Sequence, residues 1–226
     1  MNILSWLYYK VYSNIVPNYL FLLKREIKDC QTVIDLGCGT KSPAKYVRSK
    51  KQYWVGVDGF GPSIEKSKKQ RIHDKYIESD ILKLKLPAKS FECAIALDVI
   101  EHLGKKEGWQ LLIQMEALAS KKIIVFTPNG FLPQKTIDEN TLQEHKSGYS
   151  YFEMRKRGFR IYGVNGLRSL REERAGYKHS PRWFWFFISE LTQFYTCFFP
   201  KKAYQILCVK TVGAINVRTK KTKRPQ

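Results

Sequence analysis

A run of aliphatic and β-branched residues, Thr32-Val33-Ile34-Asp35-Leu36, passes directly into Gly37-Cys38-Gly39-Thr40 and then into a stretch read as a helix from Pro43. A strand, a glycine turn and a helix in that order open a βα unit. The turn lets backbone approach a ligand, and the helix N-terminus favours a carboxylate or phosphate. The spacing is G-x-G without a third glycine, since Ser42 stands three residues after Gly39. The dinucleotide fingerprint is incomplete, which favours a smaller ligand than a pyrophosphate-bridged one.

The rest of the chain keeps the same rhythm as far as residue 126. Strands are predicted at Thr32–Leu36, Tyr53–Val57, Cys93–Leu97 and Lys122–Phe126, with the short run Tyr76–Ser79 between the second and third of these. Helices are predicted over Pro43–Lys50, Pro62–Lys69 and Lys105–Leu118, preceded by an amphipathic helix over Ser13–Lys28. Alternation with short connections predicts an α/β fold, a doubly wound and mostly parallel sheet of seven strands. Beyond it come a helix at Tyr149–Arg157, a strand at Phe159–Tyr162, an aromatic helix at Trp183–Phe199 and a last, antiparallel strand at Tyr204–Val209. The chain divides into a covering helix within 1–30, one domain over 31–212 and a basic tail, expected to be mobile, over 213–226.

Acidic residues close successive strands: Asp35, then Asp58, and Asp80 just after the third. One such acid is usually a turn former, but three at the carboxyl ends of neighbouring strands line the crevice where open α/β sheets bind ligands. Here the sequence resembles the class I S-adenosylmethionine-dependent methyltransferases. Val33-Ile34-Asp35-Leu36-Gly37-Cys38-Gly39-Thr40 looks like their first motif, Gly56-Val57-Asp58 like their second-strand acid and Ser79-Asp80-Ile81 like their adenine-contacting segment. Leu86–Cys93 and Ala96–Leu103 resemble the stretch around their fourth strand, with Glu92 where Asp is commoner. The resemblance implies a Rossmann-like fold and S-adenosylmethionine as cofactor. It places Gly37 and Gly39 at the methionine part, Asp58 at the ribose and Asp80 with Ile81 at the adenine; Asp35, Cys38 and Asp98 complete the expected cofactor-binding set.

Asp98, Glu101 and His102 are spaced i, i+3, i+4, so a helical turn would bring them to one face beside the expected methyl group. Similar segments bind metal in ubiquinone-pathway O-methyltransferases and small-RNA 3′-end methyltransferases. The Glu-His-Leu ending is also widespread in methyltransferases with no known metal, so these residues are expected to shape the pocket, and no metal is assigned. Phe126-Thr127-Pro128-Asn129-Gly130 leads into a polar loop, Phe131–Tyr149, that holds His145. His145 is the first candidate for a general base and His102 the second, because imidazole titrates near neutral pH.

The formal charge is +20, and residues 151–226 carry seventeen basic against four acidic side chains. Such an uneven field suits anionic lipid headgroups, nucleic acid or a phosphorylated substrate. The aromatic stretch Trp183–Phe199 is interrupted by Glu190 and falls short of the roughly 20 apolar residues that cross a bilayer. Arg168, Arg171, Arg174, Lys178 and Arg182 precede it and Lys201 and Lys202 follow. Either the helix is buried, or it lies in a membrane interface with basic flanks. Nucleic acid is the weaker partner, because the aromatics sit in apolar runs rather than among the basic residues. The five cysteines form no C-x-x-C pair and suit a reducing cytosol. Met1–Leu23 is apolar but holds Lys10 and lacks a cleavage pattern, so a signal peptide is not expected.

These features predict a cytoplasmic, peripherally membrane-associated S-adenosylmethionine-dependent methyltransferase whose acceptor is a small or lipid-linked molecule methylated at oxygen. The alternatives are an RNA methyltransferase and a non-catalytic, cofactor-binding scaffold at the membrane.

Overall fold

The computed structural model describes residues 16–134, 143–172 and 176–213. Seven strands form one sheet: β1 (Thr32–Leu36), β2 (Tyr53–Asp58), β3 (Lys75–Glu78), β4 (Phe91–Leu97), β5 (Ala119–Pro128), β6 (Arg160–Leu167) and β7 (Ala203–Thr211). Their order is β3-β2-β1-β4-β5-β7-β6. β1 to β5 pair in parallel, whereas β7 runs antiparallel to both β5 and β6. The chain leaves β1 in one direction through β2 and β3 and resumes on its other side with β4. This reversal opens a crevice at the carboxyl ends of β1 and β4.

Among the described residues six α-helices accompany the sheet: α1 (Tyr19–Ile27), α2 (Ala44–Val47), α3 (Gly61–Lys69), α4 (Lys105–Leu118), α5 (Tyr151–Lys156) and α6 (Arg182–Phe198). Strand residues alternate between two cores, one on each face. Ile34, Leu36, Ala94, Ala96, Ile123 and Val125 pack with Leu111, Leu112 and Met115 of α4 and Met154 of α5. Val33, Cys93, Ile95, Ile124 and Phe126 pack with Leu22, Leu23 and Ile27 of α1, Val47 of α2 and Cys197 of α6. Burial on both faces explains why the central strands read as nearly continuous apolar runs.

The predicted elements are present, with shifts at their ends. α1 begins at Tyr19 because the Asn18 side chain accepts from the Phe21 N–H at 3.0 Å; the predicted start at Ser13 lies outside the described residues. α2 stops at Val47, short of the predicted Lys50, because Arg48 turns extended and places its guanidinium on Asp74 at 2.7 and 2.8 Å and on the Ile72 carbonyl at 2.6 Å. The strand predicted to end at Tyr162 continues to Leu167. The predicted basic tail beyond Gly213 lies outside the described residues. All five cysteines are buried and free.

α6 is turned inside out. Its buried face carries Ser189, Gln193, Thr196 and Cys197. Gln193 donates to the carbonyls of Gly163 and Pro17 at 3.0 and 2.8 Å and accepts from the Gly166 N–H at 3.2 Å. The approach to β6 is close: a Cβ on Gly166, which sits at φ +70°, would fall 2.5 Å from the Ser189 carbonyl oxygen. The outward face carries Trp183 (66% exposed), Phe187 (58%), Leu191 (68%) and Phe198 (77%), four residues on a helical stripe. Among the described residues no helix is long and apolar enough to cross a membrane.

Several carboxylates that tie loops to the sheet sit below their ordinary range. Asp29 is lowered by the Lys122 ammonium at 2.8 Å, and Glu92 by the Gln31 N–H at 2.6 Å and by Lys121. Burial tends to raise Asp74, but hydrogen bonds from Arg48 and the Trp54 N–H outweigh it and leave it lowered. A carboxyl whose folded pKa is depressed stabilises above its unfolded value, near 3.9 for Asp, and loses that contribution as pH falls through the folded value. The difference in melting temperature between the wild type and Asp74→Asn should therefore be largest near neutral pH and close progressively below about pH 4. Thermal melts across that range check it; a gap that stays constant with pH would show that Asp74 does not act through its charge.

Candidate active site

The glycine turn after β1 is built from backbone. The N–H groups of Gly37 and Cys38 both donate to the Val57 carbonyl, at 2.8 and 2.9 Å, and Gly39 N–H donates to Asp58 Oδ2 at 2.8 Å. Gly37 and Gly39 lie in the left-handed region, at φ +74° and +54°. Below the turn, Asp35 is buried, with Oδ2 accepting from the Ser42 hydroxyl at 2.6 Å and facing His73 Nε2 at 2.9 Å. Asp35 was expected to contact the cofactor, but its carboxylate is enclosed by Ser42 and His73 and holds the turn from beneath. Cys38 is likewise turned inward, its Sγ lying 3.0 Å from where a Gly56 Cβ would stand, and burial pushes its thiol well up, so it stays neutral. His73, which the sequence reading passed over, is the partner that makes a buried Asp35 possible.

A cleft of about 400 Å³ opens over the turn. Gly37, Gly39, Asp58, Asp80, Ile81, Asp98 and His102 line it, so seven of the ten expected site residues converge there. Lys146, Glu107 and Gln143 also line it; lying beyond the motifs, they carried no local signal. Asp58 Oδ1 accepts from the Phe60 N–H at 2.9 Å, and Asp80 Oδ1 accepts from the Leu82 N–H at 2.9 Å. A carboxylate offers about four acceptor positions, so both keep capacity toward a ligand.

Asp98, at φ +53°, stands at the end of β4, crowded by protein and yet open to the cleft. Its Oδ1 accepts from Gln205 Nε2 at 3.2 Å, and burial pushes its carboxyl up to about 7. The next residues form a single 3-10 turn, Ile100–His102, not the α-turn expected from the spacing. Glu101 consequently points inward: Oε2 accepts from the Thr127 hydroxyl at 3.0 Å, while Oε1 is buried and has no hydrogen-bond partner among the described residues. Burial and the neighbouring Asp98 charge push its carboxyl well above the usual range.

His102 faces the cleft, with Nδ1 at 3.1 Å from the Glu144 carbonyl oxygen. His145 meets it edge-on, ring centroids 4.8 Å apart, with Nδ1 at 2.6 Å from the Leu132 carbonyl oxygen. A carbonyl only accepts, so each ring donates through Nδ1–H and keeps its Nε2 lone pair when neutral. Burial holds the His102 imidazole below its ordinary pKa. His145, the first candidate for the base, does not line the cleft; His102 does, and His145 stands behind it. Glu101, His102 and His145 each offer a ligand atom, all within 4.8 Å of one another, and Asp98 is not part of this group.

Residues 34–122 match the family model described as "Methyltransferase domain". The chain thus carries a methyltransferase domain over those residues. No curated protein matches the sequence. Among solved structures, the fold is similar to the methyltransferase domain of a bacterial Hen1 protein (CtHen1), with a TM-score of 0.57, 16% identity and coverage of 86% of this chain and 97% of that one. It is also similar to the plantazolicin methyltransferase BpumL in complex with SAH (TM-score 0.53, 12% identity, 86% and 82% covered). A third is the magnesium protoporphyrin IX methyltransferase of Synechocystis with bound SAH (TM-score 0.51, 12% identity, 85% and 81% covered).

The cleft fits S-adenosylmethionine, the cofactor that the sequence resemblance implies. Its size falls among small-molecule sites of roughly 300–1,000 Å³. A Cβ on Gly39 would meet nothing within 4 Å, so the turn leaves open space on its ligand side. The two glycines should fail differently. A Cβ on Gly37 would lie 2.5 Å from Val99 Cγ2, in a backbone conformation that already costs a non-glycine residue about 1–2 kcal/mol. Gly37→Ala should therefore lower the melting temperature markedly. Gly39→Ala carries the backbone cost of its φ of +54° but no clash, so it should lower the melting temperature less and, by adding a methyl group toward the cleft, weaken S-adenosylhomocysteine about tenfold or more in calorimetry. Unchanged affinity in folded Gly39→Ala would place the ligand elsewhere.

Proposed function

We propose that this methyltransferase transfers the methyl group of S-adenosylmethionine to a hydroxyl oxygen of a small or lipid-associated acceptor. The observation that carries the reading is His102, the imidazole on the wall of the cleft, with Nδ1 engaged by a backbone carbonyl and Nε2 left to accept a proton. In this reading the backbone of Gly37 and Gly39 lies along the methionine part, Asp58 accepts from the ribose, Asp80 and Ile81 border the adenine, and Asp98 stands at the methionine end. When bound, S-adenosylmethionine supplies an electrophilic methyl group on a positively charged sulfur. His102 takes the acceptor's hydroxyl proton as the new carbon–oxygen bond replaces the carbon–sulfur bond, and S-adenosylhomocysteine leaves. Alignment of oxygen, carbon and sulfur supplies most of the acceleration, and the base adds about 10²–10⁴-fold.

A second reading rests on the buried, unpartnered Glu101 Oε1 beside His102 and His145. One carboxylate and two imidazoles with their Nδ1 atoms held by carbonyls suit a divalent transition ion, which would polarise the acceptor hydroxyl in place of a base. The two readings part on one measurement. With methyl-labelled cofactor and fractionated lipid, RNA and small-molecule extracts, His102→Gln should lower transfer about a hundredfold or more while S-adenosylhomocysteine still binds. Full wild-type activity in excess chelator supports the base, and loss restored by a divalent ion supports the metal. Labelling of no fraction, with cofactor still bound, overturns the enzymatic reading in favour of a scaffold.

The place of action proposed is an anionic membrane surface. The outward stripe of α6 supports it, because burial in the protein's own core cannot explain aromatics that face away from the sheet. Arg182 opens the helix and Lys201 and Lys202 follow it. Each basic residue near such a surface contributes on the order of 1 kcal/mol, within a Debye length. The wild type should float with vesicles containing acidic lipid at low salt and less so at high salt. Trp183→Ser with Phe187→Ser should reduce flotation without lowering the melting temperature; a folded protein that stays at the bottom of every gradient would rule the surface out.

A further inference from the structure

A second cavity, of about 540 Å³, shares no lining residue with the cofactor cleft. Its walls come from the segment after β5, the start of β7 and the connection between β6 and α6. Phe131, Leu132 and Tyr204 supply apolar and aromatic surface, and among the described residues Arg168, Arg171 and Lys178 line it with one acid, Glu172. Both arginines are held in place by neighbouring groups. Arg168 donates to the carbonyls of Asn129 and Phe131. Arg171 donates to the Asn165 carbonyl at 2.8 Å and to the Ser189 hydroxyl at 3.3 Å, and its guanidinium lies over the rings of Tyr177 and Tyr204 at 4.7 and 5.5 Å. Among the described residues no ion pair involves Arg168 or Lys178, although ten ion pairs form elsewhere. The Arg168 guanidinium, oriented by carbonyls, keeps its charge and much of its donor capacity for an incoming oxyanion.

The position of the cavity links it to the reaction. The Leu132 carbonyl on its wall accepts from His145, and His145 touches His102 on the cofactor cleft. Tyr177, over whose ring the Arg171 guanidinium lies, contacts Phe186, one of the exposed aromatics of α6, at 6.4 Å between ring centroids. Side-chain contacts thus lead from the cavity through His145 to His102 and through Arg171 and Tyr177 to the aromatic helix. We propose that this cavity binds a phosphate or phosphodiester group of the methyl acceptor, with Arg168, Arg171 and Lys178 as its ligands. The assignment rests on the proposed hydroxyl acceptor, but the binding it asserts is measurable without turnover.

The test is calorimetric titration of the full chain, saturated with S-adenosylhomocysteine so that the first cleft is filled. The probes are inorganic pyrophosphate and dihexanoyl phosphatidylglycerol below its micelle concentration. Saturable one-to-one binding of either supports the site, and the tighter probe identifies the source of the phosphate as soluble or lipid. Arg168→Gln should weaken binding about tenfold or more. Lys178→Gln, which removes an exposed side chain with no described structural bond, should weaken it in the same direction and guards against a misfolded Arg168 variant. Lys45→Gln, on α2 and away from the cavity, should leave it unchanged. No saturation up to millimolar probe, or an equal loss in Lys45→Gln, overturns the proposal. S-adenosylhomocysteine affinity, read in the same titrations, tests the cofactor cleft separately.

Discussion

The buried carboxylate of Asp35 is the constraint on which the cofactor side of the molecule depends. A charge-bearing group at the centre of a parallel sheet is costly unless every lone pair has a use. Here the Ser42 hydroxyl and His73 Nε2 meet the same oxygen from two directions. Ser42 also accepts from the Ala44 N–H at 3.1 Å and so sets the start of α2, while His73 donates through its backbone to the Tyr76 hydroxyl at 3.0 Å on β3. One carboxylate thus joins the end of β1, the first turn of α2 and the entrance of β3. The glycine turn above it is left with its N–H groups pinned to β2 and its open side toward the cleft.

The acceptor side is organised by different means. β7 enters antiparallel between β5 and β6, and its Gln205 reaches across to Asp98. Asn129, at the end of β5, donates through one amide nitrogen to the carbonyls of Pro200, Lys201 and Ala203 and accepts from the Tyr151 N–H, which joins the loop after β5 to the approach to β7 and to α5. These contacts carry the histidine pair and the basic cavity on neighbouring segments of chain.

α6 illustrates how far hydropathy alone can mislead. An aromatic helix of this composition would ordinarily bury its rings, yet its sheet-facing residues are Ser189, Gln193 and Thr196. The reason lies in β6, where Gly163 and Gly166 admit the helix so closely that only small or hydrogen-bonding side chains fit, and where backbone groups at those glycines need partners. Gln193 supplies them, and the rings are left on the outside.

The alternation of strands and helices, the glycine turn and the acids at the ends of β2 and β3 were legible in the sequence, because each depends on residues adjacent in the chain or two to four positions apart. Thr32–Leu36 and Lys105–Leu118 appear with their predicted limits. What depended on long-range contact was not legible. Asp35 turns inward only because His73, 38 positions later, meets it. His102 and His145 belong to one site only because the segment after β5 folds back, with the Lys146 and Ser147 N–H groups on the Glu101 carbonyl at 2.8 and 3.1 Å. The sequence by itself determined the layered α/β fold and the side of the sheet on which the cleft opens. Tertiary structure alone decided which carboxylates face the cleft, which histidine reaches it and which face of the aromatic helix meets solvent, since each is settled by hydrogen-bond partners that only the folded chain brings together.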